Sequence, residues 1–242
     1  MKVAFCLYGI HYIYSPPRCI TDYSKTINNY KKMIINELKN IGHDVDIFIA
    51  SYKSEKEEAL QKDFQPVSMN LIDFSWYIPG IPQVRHLLYL YTLITEYEKN
   101  NNILYDFLIF TRFDLIFFKK FTEMNIDLSK INISFQHNGE SKNCEDNFFI
   151  LPRYYLDIFI SAAYNVKIIL HEINHNIPSE IINYMYKVEI GEDSDKTDWK
   201  YYCLAREVRG EPPPFLEFMI ALNKKYSTNL TLEYLCADKF MV

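Results

Sequence analysis

The chain has 242 residues, of which 49% are hydrophobic, 24% charged and 16% aromatic, and its formal net charge is −5. These values are typical of a globular protein with a large core, and they argue against a dedicated nucleic-acid binder, which would carry a basic face. Only 6 glycines occur, and neither G-x-G-x-x-G nor G-x-x-x-x-G-K-[ST] is present, which argues against a dinucleotide-binding Rossmann enzyme and a P-loop NTPase. The 5 cysteines are dispersed and form no C-x-x-C pair. We therefore expect reduced thiols in the cytoplasm, and neither a disulfide framework nor a zinc site.

Apolar runs alternate with helical patterns through the first 120 residues. Lys2–Tyr8 predicts a strand that ends at Gly9; it is too short to span a membrane and lacks signal-peptide anatomy. A loop through residues 15–18 follows. Next we expect a helix from Thr21 or Asp22 to residue 40, a strand at Val45–Ser51, a charged helix at Lys53–Asp63, a weaker strand within Pro66–Phe74 and a helix from about Gln83 to Lys99.

The second half of the chain has a less regular pattern. We expect strands at Phe107–Arg112, Ile131–Gln136 and Asn147–Leu151, and helices at Tyr154–Leu170, Ile177–Tyr186 and near Phe215–Tyr226. Alternating strands and helices predict a mostly parallel central sheet with helices on both faces. The expected fold is thus a single α/β domain over residues 1–242, with extra short strands and a helical C-terminal part built onto the same sheet.

The stretch Tyr105–Phe117 is the most informative part of the chain. An apolar strand pattern is interrupted by Arg112 and Asp114, and charges are rarely placed in such a strand unless they are paired or bind something. At the carboxyl edge of a sheet, a carboxylate can hold a divalent cation and an arginine can hold a phosphate. A structural Arg112–Asp114 ion pair explains the same pattern, and both interpretations stay open.

Two further segments are expected at the same edge. The Gly9–His11 turn follows the first strand, with Arg18 just beyond, and a small residue there allows a nucleotide to approach the backbone. Glu145 and Asp146 precede an apolar strand, where a carboxylate can abstract a proton. The ordinary alternatives are a simple strand end at Gly9 and a solvated turn at Glu145–Asp146.

Other candidates rest on weaker patterns. Gln83 and Arg85 lie at the start of a predicted helix and could contact a bound sugar. His171 and His175 are four residues apart, but without the glutamate of a zincin, so a single metal or phosphate contact by one of the two is the sharper prediction, and His171 is the candidate metal ligand.

Taken together, four segments resemble GT-A type glycosyltransferases, specifically the small enzymes of viral and bacterial polysaccharide assembly. The similarity covers about residues 1–160 and rests on Val3–Gly9, His43–Tyr52, Tyr105–Leu115 and Glu145–Arg153. The element Arg112–Asp114 occupies the place of the family's D-x-D motif, whose carboxylates bind Mn²⁺ or Mg²⁺. This chain departs from that motif, because Arg112 replaces the first acidic residue.

The resemblance implies a glycosyltransferase that moves a sugar from a nucleotide diphosphate-sugar, with a UDP-sugar favoured, to a hydroxyl of a glycan acceptor. It implies inversion with Asp146 as the base, and a Mn²⁺ or Mg²⁺ ion held by Asp114. His171 is a further candidate metal ligand from its own pattern and not from the resemblance. The donor would lie against residues 1–120 and the acceptor against residues 121–242. The donor-binding residues implied are Gly9, Arg18, Arg112 and Asp114, and Gln83 and Arg85 are added to them only from their place at the start of a predicted helix. The location implied is the cytoplasm, that of the host if the chain is viral, with no transmembrane segment.

Two alternatives remain from the sequence. The missing first acidic residue favours a degenerate transferase fold that serves as a binding or assembly module. A methyltransferase also has a parallel sheet and a small residue after its first strand. A methyltransferase needs a glycine-rich first loop and an acidic residue at the end of its second strand, whereas the second predicted strand of this chain ends in Ala50 and Ser51.

Overall fold

The structure is a computed structural model, and it describes residues 1–15, 19–73, 82–129, 131–135, 144–157, 159–160, 229–231 and 236–238. Its strands are β1 Lys2–Gly9, β2 Tyr12–Ser15, β3 Cys19–Asp22, β4 Asp44–Tyr52, β5 Ser68–Ile72, β6 Phe107–Arg112, β7 Leu115–Phe117, β8 Asn132–Phe135, β9 Cys144–Pro152, β10 Asn229–Thr231 and β11 Cys236–Asp238.

Seven of these strands form the central sheet, in the order β10-β8-β9-β6-β1-β4-β5. Strand β1 lies between β4 and β6 and is parallel to both, whereas β9 runs antiparallel to β6 and to β8. The pairs β4–β5 and β8–β10 are parallel. The predicted mixed α/β fold with a mostly parallel central sheet is therefore confirmed.

Helices cover both faces of this sheet. The first helical segment begins with a 3₁₀ turn at Tyr23–Lys25 and continues through α1 Ile27–Tyr30, a π-helical turn at Lys31–Ile35 and α2 Asn36–Asn40. Helix α3 spans Glu57–Phe64 and helix α4 spans Pro82–Asn101. Further 3₁₀ turns lie at Phe121–Glu123 and Arg153–Tyr155.

Strand β1 is buried on both faces, which explains its unbroken apolar sequence. Side chains alternate across a strand, so its residues divide between two cores. Val3, Phe5 and Leu7 pack in one core with α1, α2 and α3, whereas Ala4, Cys6 and Tyr8 pack in the other with α4. The Cys6 thiol is free, and burial raises its pKa well above the ordinary value, so it does not serve as a nucleophile.

Several elements differ from the sequence prediction. The chain on either side of residues 16–18 forms the β2–β3 hairpin, where a loop was expected. Helix α3 begins at Glu57 and not at Lys53, and β9 begins at Cys144 and not at Asn147. The predicted helices over 177–186 and 215–226, and most of the one over 154–170, lie outside the described residues.

The C-terminal segment returns to the domain through two short strands. Strand β10 lies at the edge of the central sheet beside β8, and β11 pairs antiparallel with β7, with Asp238 opposite Leu115. Of these two strands only β10 joins the central sheet, because β11 and β7 form a separate two-stranded sheet. Within the described part of the chain, no helix is long and apolar enough to cross a membrane.

Candidate functional site at the carboxyl edge of the sheet

Several chain segments meet at one edge of the central sheet. Strands β1, β4 and β6 run in the same direction and end there at Gly9, Tyr52 and Arg112. Because β9 is antiparallel, it begins at this edge, with Phe148 opposite Thr111. We call this region the carboxyl edge; in open parallel sheets it is the usual place of ligand binding.

The N-terminal end of α4 also lies at the carboxyl edge. Its His86 ring contacts the ring of Tyr52, the last residue of β4, with centroids 4.7 Å apart. Further along α4, Tyr97 contacts Phe48 in the middle of the same strand. The helix thus runs antiparallel to the strands. Its 20 residues direct the positive end of the helix dipole towards this edge, which favours an anion there.

The turn after β1 is fixed by a chain of hydrogen bonds. Gly9 has φ +94°, a conformation that a side chain would strain. The Ser51 hydroxyl donates to the Gly9 carbonyl oxygen over 2.6 Å. His11 is fully buried, with Nδ1 at 2.7 Å from Ser51 Oγ and Nε2 at 2.8 Å from Ser54 Oγ. Ser54 Oγ also accepts from the Lys56 amide over 3.0 Å.

These bonds assign the protons of His11. The single proton of Ser51 is directed to Gly9, so Nδ1 of His11 must be the donor to Ser51. Nε2 is then the acceptor, and Ser54 donates to it. This is a neutral imidazole, and desolvation by burial lowers the pKa of His11 from 6.5 to about 4.

Arg112 and Asp114 form a two-pronged ion pair at the end of β6. Nε of Arg112 donates to Oδ1 of Asp114 over 2.9 Å, and Nη2 donates to Oδ2. The Asp114 side chain is 12% exposed and that of Arg112 is 32% exposed, so the arginine is the more accessible partner. The intervening Phe113 is buried, and its ring lies 5.8 Å from that of His11.

Two side chains hold the backbone around this pair. The buried Tyr30 hydroxyl donates to the carbonyl oxygen of Arg112 and accepts from the Leu115 amide at 3.0 Å. Thr26 Oγ1 donates to the Phe113 carbonyl oxygen over 2.6 Å. The turn that carries Arg112 and Asp114 is therefore fixed independently of their ion pair.

A divalent cation on Asp114 does not fit this arrangement. Both carboxylate oxygens are engaged by one guanidinium, and a cation bound to them would lie against that positive charge. Among the described residues, no group of three or more His, Cys, Asp or Glu side chains is placed to hold a metal. His171, the second expected ligand, lies outside the described residues, so its own part in metal binding stays a prediction.

The start of β9 is irregular where it reaches the carboxyl edge. Ile133 pairs with Phe149 and Phe135 with Cys144, so the single residue Ser134 of β8 faces the four residues 145–148 of β9. Such a bulge interrupts the ladder, and bulges are frequent beside active sites because they redirect side chains. Glu145 and Asp146 belong to this bulged strand end, where a turn before the strand was expected.

The structure brings together most of the residues singled out in the sequence. Gly9, Arg112, Asp114 and the backbone of Asp146 all lie at the carboxyl edge. Gln83 and Arg85 lie in the first turns of α4, at the same edge. Arg18 lies outside the described residues, as does His171.

The contribution of Ser54 and the bonding role of Ser51 were not predicted from the sequence. Ser54 does carry a readable signal, since Ser54 and Glu57 have the spacing of a capping box, and the Ser54 amide donates to Glu57 Oε1 over 3.0 Å. The bond from Ser54 to His11 spans 43 residues, and no local pattern indicates it.

Comparison with known proteins identifies no family for this chain. The chain matches no model of a protein family, and a search of curated proteins also found no match.

Proposed function

We propose that this protein is a glycosyltransferase that moves a sugar from a nucleotide diphosphate-sugar, with a UDP-sugar favoured, to a hydroxyl of a glycan acceptor. The proposal is supported by the carboxyl edge, where a glycine turn, a partly exposed arginine and an acidic strand end lie together. A helix N-terminus at the same edge favours a phosphate group.

The bulge at Glu145–Asp146 is the observation that carries the proposal. The backbone of this acidic strand end lies at the same edge of the sheet as the end of β6. A transferase needs these two chemistries close together: a positive group for the leaving diphosphate and a carboxylate for the acceptor.

The reaction would be a single displacement. The nucleotide base lies against the Gly9–His11 turn and the diphosphate lies by Arg112. An acceptor hydroxyl attacks the anomeric carbon from the face opposite the diphosphate, and Asp146 takes its proton. The new carbon–oxygen bond forms as the bond from the sugar to the diphosphate breaks, and the nucleotide diphosphate leaves. A single displacement of this kind inverts the anomeric centre.

A paired substitution tests the role of Asp146. We expect Asp146→Asn to lower sugar transfer or donor hydrolysis by about 100-fold or more, because general base catalysis typically contributes 10²–10⁴. Donor binding, measured by thermal shift with UDP- and GDP-sugars, should persist. Glu145→Gln removes the neighbouring carboxylate in the same bulge and serves as the matched control. Full transfer by Asp146→Asn would show that Asp146 is not the base.

A binding module is the second candidate, and the Arg112–Asp114 pair is the observation that favours it. A carboxylate engaged by arginine is not available as a metal ligand, so a transfer that depended on a metal ion at Asp114 would not proceed. Hydrolysis of a nucleotide-sugar by the purified protein would exclude this candidate. A methyltransferase is disfavoured, since Ser51 near the end of β4 is engaged with Gly9 and His11.

A further inference from the structure

We infer that Arg112 replaces the divalent cation, so that the guanidinium itself neutralises the diphosphate of the donor and Asp114 positions it. This inference rests on the proposed function and names the group that performs its charge neutralisation. Asp114 is then a positioning residue and not a metal ligand.

The geometry of the pair supports this division of roles. Asp114 contacts Arg112 through Nε and Nη2, which fixes the plane of the guanidinium. The carboxylate is nearly buried, whereas about a third of the arginine side chain is exposed at the carboxyl edge. The arginine is therefore the more accessible partner of the pair, which suits an incoming diphosphate.

The surroundings keep the arginine in place without help from a ligand. Tyr30 bonds the Arg112 carbonyl oxygen, and Thr26 bonds that of Phe113, so the backbone on which the guanidinium stands is fixed from the adjacent helical segment. A charge that is oriented beforehand costs little reorganisation when the substrate binds. A planar guanidinium also matches two phosphate oxygens in a way that a lysine does not.

Nucleotide binding with and without metal tests the inference directly. The affinities of UDP, GDP and TDP would be measured by calorimetry in EDTA and again with Mn²⁺. For the wild-type protein we expect binding of at least one nucleotide, with the same affinity in both conditions. Arg112→Gln should weaken that binding about 10- to 100-fold, the loss expected for hydrogen bonds to a charged group.

Two further variants make the result specific. Arg112→Gln leaves the nearly buried Asp114 carboxylate without its cation, and this single variant could fail to fold for that reason. The double variant Arg112→Gln/Asp114→Asn removes both charges and is used in that case. The double variant should show the same loss of nucleotide binding. Lys2→Gln is the matched control, because it also removes one positive charge from an ion pair, Lys2–Asp44, at the opposite edge of the sheet. It should bind as the wild type does.

Three results would overturn the inference. Binding that requires Mn²⁺ would show that a metal performs this role, and the proposed transferase would still stand. Full binding by the Arg112 variants in EDTA would place the diphosphate elsewhere. No binding of any nucleotide in either condition would overturn the inference together with the proposed function.

Discussion

The protonation of His11 provides the most direct test of the bonding around the Gly9 turn. His11 is fully buried and neutral, with Nε2 accepting from Ser54 and Nδ1 donating to Ser51. A proton added at Nε2 would remove that acceptor and place a charge in a dry site. The groups packed around the ring offer little compensation: Tyr23 and Phe113 contact it, and Asp63 is bonded to the Tyr23 hydroxyl.

The size of the effect follows from the two pKa values of His11. The folded pKa is about 4 and the ordinary value is 6.5. On acidification the unfolded chain therefore takes up the proton first, and folding stability is lost as the pH falls from 6.5 towards 4. A single group with these two pKa values lowers the free energy of unfolding by about 2 kcal/mol between pH 7.5 and 5, and by about 3 kcal/mol by pH 4. Above pH 6.5 its contribution is complete and constant.

Urea unfolding of the wild type and of His11→Gln between pH 7.5 and 5 measures the contribution of His11 to the pH dependence of folding stability. The variant is less stable at neutral pH because it keeps only part of the hydrogen bonding, but its stability should fall by about 2 kcal/mol less over this range. Other titrating groups are common to both proteins and cancel in the difference. Parallel pH profiles of the two proteins would refute the assignment of a buried neutral His11.

Three further predictions concern single side chains. Tyr30→Phe should lower the free energy of unfolding by about 1–3 kcal/mol, because the buried Leu115 amide loses its acceptor; an unchanged urea midpoint would contradict this. Glu98→Gln should cost about 3 kcal/mol, because Glu98 is 5% exposed and pairs with Arg153 at 2.8 Å; a loss below about 1 kcal/mol would show that solvent screens the pair. Gly42→Ala should lower the thermal midpoint through a strain of about 1–2 kcal/mol, since Gly42 has φ +84° at the end of α2, and an unchanged midpoint would refute that strain.

The parts of the fold that could be predicted are those with a local signal. Strand β1 lies in the middle of a parallel sheet, so both of its faces are apolar and its sequence is an unbroken run. Strand β6 has the same pattern, and its bounds, Phe107–Arg112, agree with the prediction. The long helix α4 was predicted within a few residues of its ends for the same reason, since its apolar stripe faces a core.

The parts that could not be predicted depend on contacts between distant residues. Within the described residues, the hairpin strands β2 and β3 pair with each other and with no other strand, and the sequence between them, Pro16–Arg18, is typical of a loop. Strands β10 and β11 have three residues each, too few for an alternating pattern. The bulge in β9 exists only relative to β8, and no pattern within residues 144–148 indicates it.

The residues of the candidate site also divide into those that the sequence indicates and those that only the tertiary structure shows. Arg112 and Asp114 were conspicuous because charges interrupt a buried strand, yet the sequence could not decide between a metal ligand and an ion pair. The decision lies in the rotamers of two side chains, which the structure shows to be paired. The bonds of His11 to Ser51 and Ser54 join residues 40 and 43 positions apart, so they belong to the tertiary structure alone.

Removing both charges tests whether the Arg112–Asp114 pair has only a structural role. A purely structural pair would hold the turn after β6, but Tyr30 and Thr26 already bond that backbone. A partly buried ion pair is often no more stabilising than apolar side chains of similar volume. We therefore expect the double variant Arg112→Met/Asp114→Leu to keep its free energy of unfolding within about 1 kcal/mol of the wild type while it loses nucleotide binding. A loss of stability above about 3 kcal/mol would identify the pair as a structural device and would remove the reason to place a diphosphate there.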